Sequence, residues 1–168
     1  MPIPGIQQPD ILPAGDMVRL RRFDGYFPFA FDWYQDTETV YLVDGVKVPY
    51  SWEKLGRMYH YLDQHGELYF IEVWEDGRFH PVGDVCFSKD DLPIVIGEKT
   101  CRGRGLGKKV ISALIQRGRD LQYGTLRVKE IYEYNTASRK CFESLGFRIQ
   151  EKTAKGNSFV LSLKEEPL

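Results

Sequence analysis

The sequence predicts an α/β protein in which helices flank a mixed central β-sheet. An apolar strand over 92–97 leads through a glycine-rich loop into an amphipathic helix over 106–121, and a strand follows over 125–134, which completes a β-α-β unit. Two further strand patterns flank an Asp76-Gly77 turn, the usual sign of an antiparallel hairpin. With 168 residues, 42% of them hydrophobic, the chain can bury one ordinary core.

The first 15 residues favour an extended arm. They include Pro2, Pro4, Pro9 and Pro13, and proline is unsuited to a helix interior or a central strand. We therefore predict a poorly anchored N-terminal arm over 1–15, followed by a single domain over 16–168.

The remaining elements follow from local pattern in chain order. Apolar residues spaced through 16–23 predict a strand, and the aromatic-rich segment 27–34 predicts a helix. A second helix is predicted to begin at its cap, Ser51, and to end at Gly66. The strands of the hairpin are predicted over 67–74 and 79–87. Ile94, Val95 and Ile96 stand in a row, which indicates a strand buried on both faces. Past the long helix and the strand at 125–134, Asn135 caps a short helix and a last strand lies over 158–163.

The glycine-rich loop is the strongest functional signal. Residues 101–109 have the sequence Cys-Arg-Gly-Arg-Gly-Leu-Gly-Lys-Lys. Gly103, Gly105 and Gly107 allow close approach of a ligand to the backbone, and the loop enters a helix whose N-terminal amides and dipole favour an anion. The basic residues around the glycines add positive charge. The loop therefore predicts a ligand that contains several phosphates.

Two better-known phosphate loops do not fit this spacing. A P-loop requires four residues between its first glycine and Gly-Lys-Ser/Thr, whereas three separate Gly103 from Gly107, and Lys109 replaces the hydroxyl residue. A dinucleotide fingerprint requires Gly-x-Gly-x-x-Gly, whereas the chain has Gly-x-Gly-x-Gly.

The loop resembles instead the acetyl-CoA loop of the GCN5-related N-acetyltransferases (GNAT), Gln/Arg-x-x-Gly-x-Gly/Ala, here residues 102–107. A second landmark of that family, Asn-x-x-Ala-x-x-x-Tyr-x-x-x-Gly-Phe, resembles the segment from Asn135 to Gly146-Phe147. The resemblance is sharp over 93–148. It implies the GNAT acyl-CoA N-acyltransferase fold, in which two splayed strands of the sheet hold the cofactor.

The resemblance also implies which residues bind acetyl-CoA. Ile94, Val95 and Ile96 would line the pantetheine arm, and Asn135 would form the wall beside it. Arg139 or Lys140 would reach the adenosine end. The pyrophosphate would lie on the loop, whose residues are Arg102, Gly103, Arg104, Gly105, Leu106, Gly107 and Lys108.

The implied chemistry is direct attack of a neutral amine on the acetyl thioester, which requires a proton acceptor for the amine and a proton for the departing thiolate. Glu98 follows the buried strand and is the leading candidate for the general base, although a solvated turn residue is the ordinary interpretation. Phe142 stands where the family often has the tyrosine that protonates the thiolate. The candidates left for that role are Tyr134, Cys141, Ser144 and water.

Bulk properties exclude several classes of partner. A net charge of -1 argues against nucleic acid and against an anionic membrane surface. Three cysteines without paired spacing, and histidines without ligand spacing, argue against disulfides and against a metal site. With neither a signal-peptide pattern nor a long apolar run, the expected location is cytoplasmic.

The function that these observations predict is N-acetyltransfer from acetyl-CoA, as cosubstrate, to a primary amine of a small molecule or of a protein N-terminus. The alternative is a non-catalytic acyl-CoA-binding sensor or interaction module, in which Phe142 reflects lost catalysis. The expected partner is the amine acceptor, small molecule or peptide, whose identity the sequence does not give. A homodimer is an expectation from the family resemblance.

Overall fold

The computed structural model describes residues 1–164 of the chain. Its eight strands within this range are Ile11–Pro13 (β1), Val18–Arg22 (β2), Glu67–Glu75 (β3), Arg78–Phe87 (β4), Ile94–Ile96 (β5), Thr125–Tyr132 (β6), Arg148–Lys152 (β7) and Gly156–Ser162 (β8).

The α-helices of the same range are Pro28–Phe31 (α1), Thr37–Asp44 (α2), Trp52–His65 (α3), Leu106–Asp120 (α4) and Thr136–Ser144 (α5). Short 3-10 turns at Asp32–Gln35 and Lys99–Cys101 follow α1 and β5. Ser51 caps α3 as predicted, because its hydroxyl accepts a hydrogen bond from the Lys54 amide at 3.1 Å.

The strands form two sheets, ordered β1-β2-β3-β4-β5 and β6-β8-β7. The pairs within both sheets are antiparallel. The predicted α/β fold with splayed strands is confirmed, and its central sheet is divided where β5 and β6 would meet. The β-α-β unit therefore joins the two sheets through α4.

The two sheets touch just before they separate. The Arg127 amide donates to the Lys89 carbonyl at 2.9 Å, and the Lys129 amide donates to the Asp91 carboxylate at 3.0 Å. Beyond these bonds, no backbone hydrogen bond in residues 1–164 joins β5 to β6. The strands diverge from this point and leave a wedge-shaped gap.

The five-stranded sheet has a core on each face. On one face, buried residues of α4 such as Val110 and Leu114 pack against Val85, and the same cluster includes Leu126 and Phe159 of the other sheet. The opposite face holds an aromatic cluster that includes Trp33, Tyr34, Tyr59 and Phe70. Because successive strand residues alternate between faces, β3 is buried on both.

The N-terminal arm is better anchored than its prolines indicate. Residues Ile11–Pro13 pair with β2, and Gln8, buried, donates its side-chain amide to the Leu68 carbonyl at 3.0 Å. The expectation of poor anchoring is therefore wrong. Of the domain predicted over 16–168, residues 165–168 lie outside the described range.

Two further features concern membrane-spanning helices and the state of the cysteines. No helix within residues 1–164 is long and apolar enough to cross a membrane. Cys86, Cys101 and Cys141 are free thiols.

Candidate functional site

The gap between β5 and β6 is a cleft of about 670 Å³. Residues 92–96 form one wall and residues 128–132 the other. Side chains of α2 and α5 close the sides, and the glycine-rich loop lies at one end. The lining of the cleft is largely apolar, as is usual for a ligand site.

The edge of β5 offers backbone hydrogen-bonding groups to this cleft. The Pro93 carbonyl accepts from the Cys86 amide at 3.0 Å, and the Gly97 amide donates to the Val82 carbonyl at 2.8 Å, so odd-numbered residues bond toward β4. Since backbone groups alternate along a strand, those of Ile94 and Ile96 point to the opposite edge. The Arg102 side chain donates a hydrogen bond to the Ile96 carbonyl at 2.9 Å. The amide and carbonyl of Ile94 and the amide of Ile96 remain for a ligand with amide groups.

The glycine-rich loop presents a row of free amides at the start of α4. Gly103 and Gly105 have φ of 74° and 75°, a conformation that favours glycine. Gly105 caps α4 without a side chain, and the first helical bond runs from the Lys109 amide to the Gly105 carbonyl at 3.2 Å. Within residues 1–164, the amides from 103 to 108 donate to no protein acceptor.

Charge at this helix end favours an anion. The first turn of α4 has no acidic residue and includes Lys108 and Lys109. Lysines at a positive dipole end are unfavourable unless an anion neutralises them. The free amides, the dipole and the lysines are therefore suited to a phosphate group.

Hydrogen bonds and an ion pair tie the loop to α2. Arg102 donates to the Thr39 hydroxyl at 2.8 Å, and Lys99 Nζ lies 2.8 Å from a carboxylate oxygen of Asp36. The hydrogen bond from Lys99 lowers the pKa of Asp36 to about 2. The Arg102 side chain is therefore held by hydrogen bonds to both β5 and α2, and it is not free to move toward a phosphate group.

The cleft thus fits a ligand that has phosphates at one end and an amide-containing chain. In a sequence comparison, the model of the Acetyltransferase (GNAT) family matches residues 27–147, well over half of the chain. The chain belongs to the GNAT family of acetyltransferases. A search of curated proteins finds no significant match.

GNAT structures share its fold. A GNAT-family acetyltransferase from Bacillus anthracis has a TM-score of 0.74 at 14% identity, with 92% of this chain and 99% of that chain covered. The yncA protein of Salmonella typhimurium, with its cofactor acetyl-CoA, has 0.62 at 15% identity, with 91% and 98% covered. RimL, a ribosomal L7/L12 alpha-N-protein acetyltransferase in complex with coenzyme A, has 0.70 at 15% identity, with 90% and 97% covered.

Most of the residues predicted to bind the cofactor line the GNAT cleft. They are Ile94, Val95, Ile96, Arg102, Gly103, Gly105, Leu106, Gly107, Lys108, Asn135 and Lys140. Asn135 also caps α5, since its side-chain oxygen accepts from the Ser138 amide at 3.2 Å.

Two of the predicted cofactor residues lie outside the cleft lining. Arg104 is exposed beside the loop, and Arg139 Nε lies 3.7 Å from a carboxylate oxygen of Glu143 on the same helix. Their roles in binding stay predictions.

Glu98, the predicted base, is fixed by two hydrogen bonds. Its amide donates to the Val82 carbonyl at 3.0 Å, and one carboxylate oxygen, Oε1, accepts from the indole nitrogen of Trp33 at 2.9 Å. The residue is exposed and stands just beyond β5, two positions after Ile96. It does not line the cleft itself.

The candidates for thiolate protonation are differently placed. Tyr134 donates its hydroxyl to the Tyr41 carbonyl at 2.8 Å and is not part of the cleft lining. Cys141 and Ser144 both line the cleft. The Ser144 hydroxyl donates to the Cys141 carbonyl at 2.7 Å, and burial raises the pKa of the Cys141 thiol.

Sequence reasoning missed two residues of this region. Tyr132 lines the cleft at the end of β6, and within residues 1–164 its hydroxyl has no hydrogen-bond partner. Its position beside the family-like Asn135 segment was the available signal. Asp84 is buried on β4, where hydroxyl groups of Tyr34 and Tyr59 donate to it at 2.6 and 2.8 Å. The local sequence does not distinguish this buried, hydrogen-bonded aspartate from an ordinary surface residue of the hairpin.

Proposed function

We propose that the protein transfers the acetyl group of acetyl-CoA to a primary amine of a small molecule or of a protein N-terminus. The observation that supports this most strongly is a combination: free amides at residues 103–108 lie at one end of the cleft, and the open edge of β5 forms one of its walls. A phosphate-only ligand would need the first feature and not the second.

Different groups of the chain would bind different parts of acetyl-CoA. The loop amides and Lys108 would hold the pyrophosphate, and the free backbone groups of Ile94 and Ile96 would bond to the pantetheine amides. The cofactor supplies the activated acetyl group. Lys140, which lines the cleft on α5, would lie near the nucleotide.

In the proposed reaction, Glu98 accepts the proton that the amine loses. The amine nitrogen forms a bond to the acetyl carbon while the bond from that carbon to sulfur breaks, so the thiolate leaves and takes up a proton. Tyr132 is our candidate for that proton donor, because its hydroxyl lies in the cleft lining without a protein partner in residues 1–164. Phe142, buried against Phe147, has no proton to give.

We place the acceptor on the side of the cleft where α2 lies. The acidic residues Asp32 and Glu38, just before α2 and in its first turn, are both exposed. Carboxylates suit an amine that is protonated in solution. RimL, one of the similar structures, acetylates a protein α-amine, which makes a peptide acceptor one candidate alongside a small molecule.

Calorimetric titration with acetyl-CoA tests the binding part of the proposal. Gly105→Glu adds a negative charge beside the pyrophosphate site and should weaken binding at least about tenfold, because like charges repel and the free amides are disturbed. Gly77→Glu is the matched control, since Gly77 also has positive φ, 80°, with open space for a Cβ, and lies in the distant hairpin turn.

Unchanged binding by the Gly105→Glu protein would contradict the proposed site. Release of free thiol from acetyl-CoA across a set of amines then tests catalysis. Binding without amine-dependent release would favour the alternative function, an acyl-CoA sensor.

A further inference from the structure

The 3-10 turn Asp32–Gln35 directs two neighbouring aromatic side chains to two carboxylates. The Trp33 indole donates to Oε1 of Glu98 at 2.9 Å, and the Tyr34 hydroxyl donates to Asp84 at 2.6 Å. Side chains of consecutive residues in a 3-10 helix leave the axis about 120° apart, so one turn reaches both targets. The turn thereby links the proposed base to the centre of the five-stranded sheet.

Trp33 is held in place from several sides. It is 3% exposed, and its ring packs near Phe29 and Phe70, with centroids 5.7 and 6.5 Å away. A Cβ at position 97 would clash with the Trp33 indole ring, so only glycine lets the backbone before Glu98 pass this close to the ring. The indole therefore fixes both the carboxylate of Glu98 and the chain that leads to it.

The anchor behind Trp33 is equally rigid. Tyr34 is fully buried, and Asp84 joins its hydroxyl to that of Tyr59 on α3. The Tyr34 carbonyl accepts from the Tyr50 amide at 3.0 Å, which fixes the backbone of the turn as well. The indole nitrogen is thus attached to a scaffold that includes β4 and α3.

The hydrogen bond from Trp33 leaves the second carboxylate oxygen of Glu98, Oε2, available. Oε1 accepts from the indole, and within residues 1–164 no protein donor reaches Oε2. A base that is held by one oxygen and open at the other has a fixed direction for proton transfer.

We infer that Trp33 is the positioning residue for Glu98: its indole N–H orients the carboxylate so that Oε2 faces the acceptor amine. This inference rests on the proposed function, in which Glu98 is the base. Trp33 itself touches neither the amine nor the acetyl group.

The test compares Trp33→Phe, Glu98→Gln and the double variant in amine-dependent thiol release. Trp33→Phe keeps an aromatic ring and removes the N–H, so kcat should fall about tenfold while acetyl-CoA affinity by calorimetry stays unchanged. In the Glu98→Gln background, which should lose about a hundredfold, the tryptophan change should cause no further loss.

Trp52→Phe is the matched control, since Trp52 at the start of α3 stacks on Phe27 at 4.5 Å, lies outside the cleft lining and makes no hydrogen bond to Glu98. Its rate and its affinity for acetyl-CoA should equal those of the wild type. A Trp33→Phe protein with wild-type rate, or one whose loss persists in the Glu98→Gln background, overturns the positioning role alone. A wild type that binds acetyl-CoA and releases no thiol with any amine overturns this inference together with the proposed function.

Discussion

Asp84 is a carboxylate at the centre of the molecule, 3% exposed, with two tyrosine hydroxyl groups as its hydrogen-bond donors. Burial raises its pKa to about 6, although the bonds from Tyr34 and Tyr59 counteract part of the effect. Burial also raises the pKa of both tyrosines far above the ordinary value, so they remain donors at neutral pH.

The raised pKa of Asp84 predicts an unusual pH dependence of stability. The folded state holds the proton up to about pH 6, whereas the unfolded chain releases it near pH 4, so the contribution of Asp84 is greatest below about pH 4 and is lost as the pH rises through about 6. The difference in free energy of unfolding between wild type and Asp84→Asn should fall by about 3 kcal/mol between about pH 4 and pH 7.

Urea unfolding at a series of pH values measures this difference. Asp76→Asn, at an exposed aspartate of the hairpin turn, is the control and should give a flat difference. A flat difference for Asp84→Asn as well would mean that Asp84 titrates alike in the folded and unfolded chain.

The site residues differ in how far the sequence could predict them. The loop glycines and Asn135 follow from motif spacing, because local backbone geometry fixes their role. Asp84 and Trp33 do not, because their partners lie 50 and 65 positions away in the chain and meet them only after folding.

At the scale of elements, α4 connects the site to the rest of the core. Its N-terminus adjoins the glycine-rich loop, and Arg117 near its other end makes two hydrogen bonds to the carboxylate of Glu67 on β3, at 3.0 and 2.8 Å. Glu67 is fully buried and also accepts from the Tyr69 hydroxyl at 3.0 Å. The ion pair therefore fixes α4 against the five-stranded sheet.

Removal of one member of this pair should be strongly destabilising. Arg117→Met leaves Glu67 as a buried charge without its cation and should lower the free energy of unfolding by about 3 kcal/mol. The double variant Glu67→Leu/Arg117→Met should recover most of that loss, because no charge then remains buried. Urea unfolding of the two variants checks this, and a single variant within about 0.5 kcal/mol of wild type would show that the pair does not stabilise the fold.

Elements with strong local signals were predictable and those without them were not. The hairpin of β3 and β4 and the helix α4 follow from turn chemistry and apolar spacing. Helix α2 was not predicted, because its β-branched residues lower the helix propensity of the segment, although Asp36 caps it and Gly45, with φ of 80°, ends it. Strand β7 is exposed along its whole length, so it has no alternation to detect.

At the scale of the whole molecule, the cleft separates two sheets that backbone bonds join only near Lys89 and Asp91 within the described range. A ligand that fills the cleft contacts β5, β6, α2 and α5 at once. Binding therefore links parts of the fold that otherwise meet through α4 and the core around it.

Saturation with acetyl-CoA should accordingly raise the thermal midpoint. A ligand present at a hundred times its Kd stabilises the folded state by about 2.7 kcal/mol, which corresponds to a shift of several degrees for a domain of this size. Differential scanning calorimetry measures the shift, and the Gly105→Glu protein should show a clearly smaller one under the same conditions, since tenfold weaker binding lowers the stabilisation to about 1.4 kcal/mol. A wild-type midpoint that is unaffected by acetyl-CoA would contradict binding to the folded cleft.

The anchoring of the N-terminal arm has a consequence for where the protein tolerates shortening. A cut before residue 16, the boundary that the prolines suggest, would remove β1 and leave β2 as a bare outer strand, free to pair with another molecule and aggregate. It would also uncover the buried pair of Glu67 and Arg117, because the Gln7 carbonyl accepts from Arg117 at 3.3 Å. The first residues should therefore hinder edge-to-edge pairing of this sheet with another molecule.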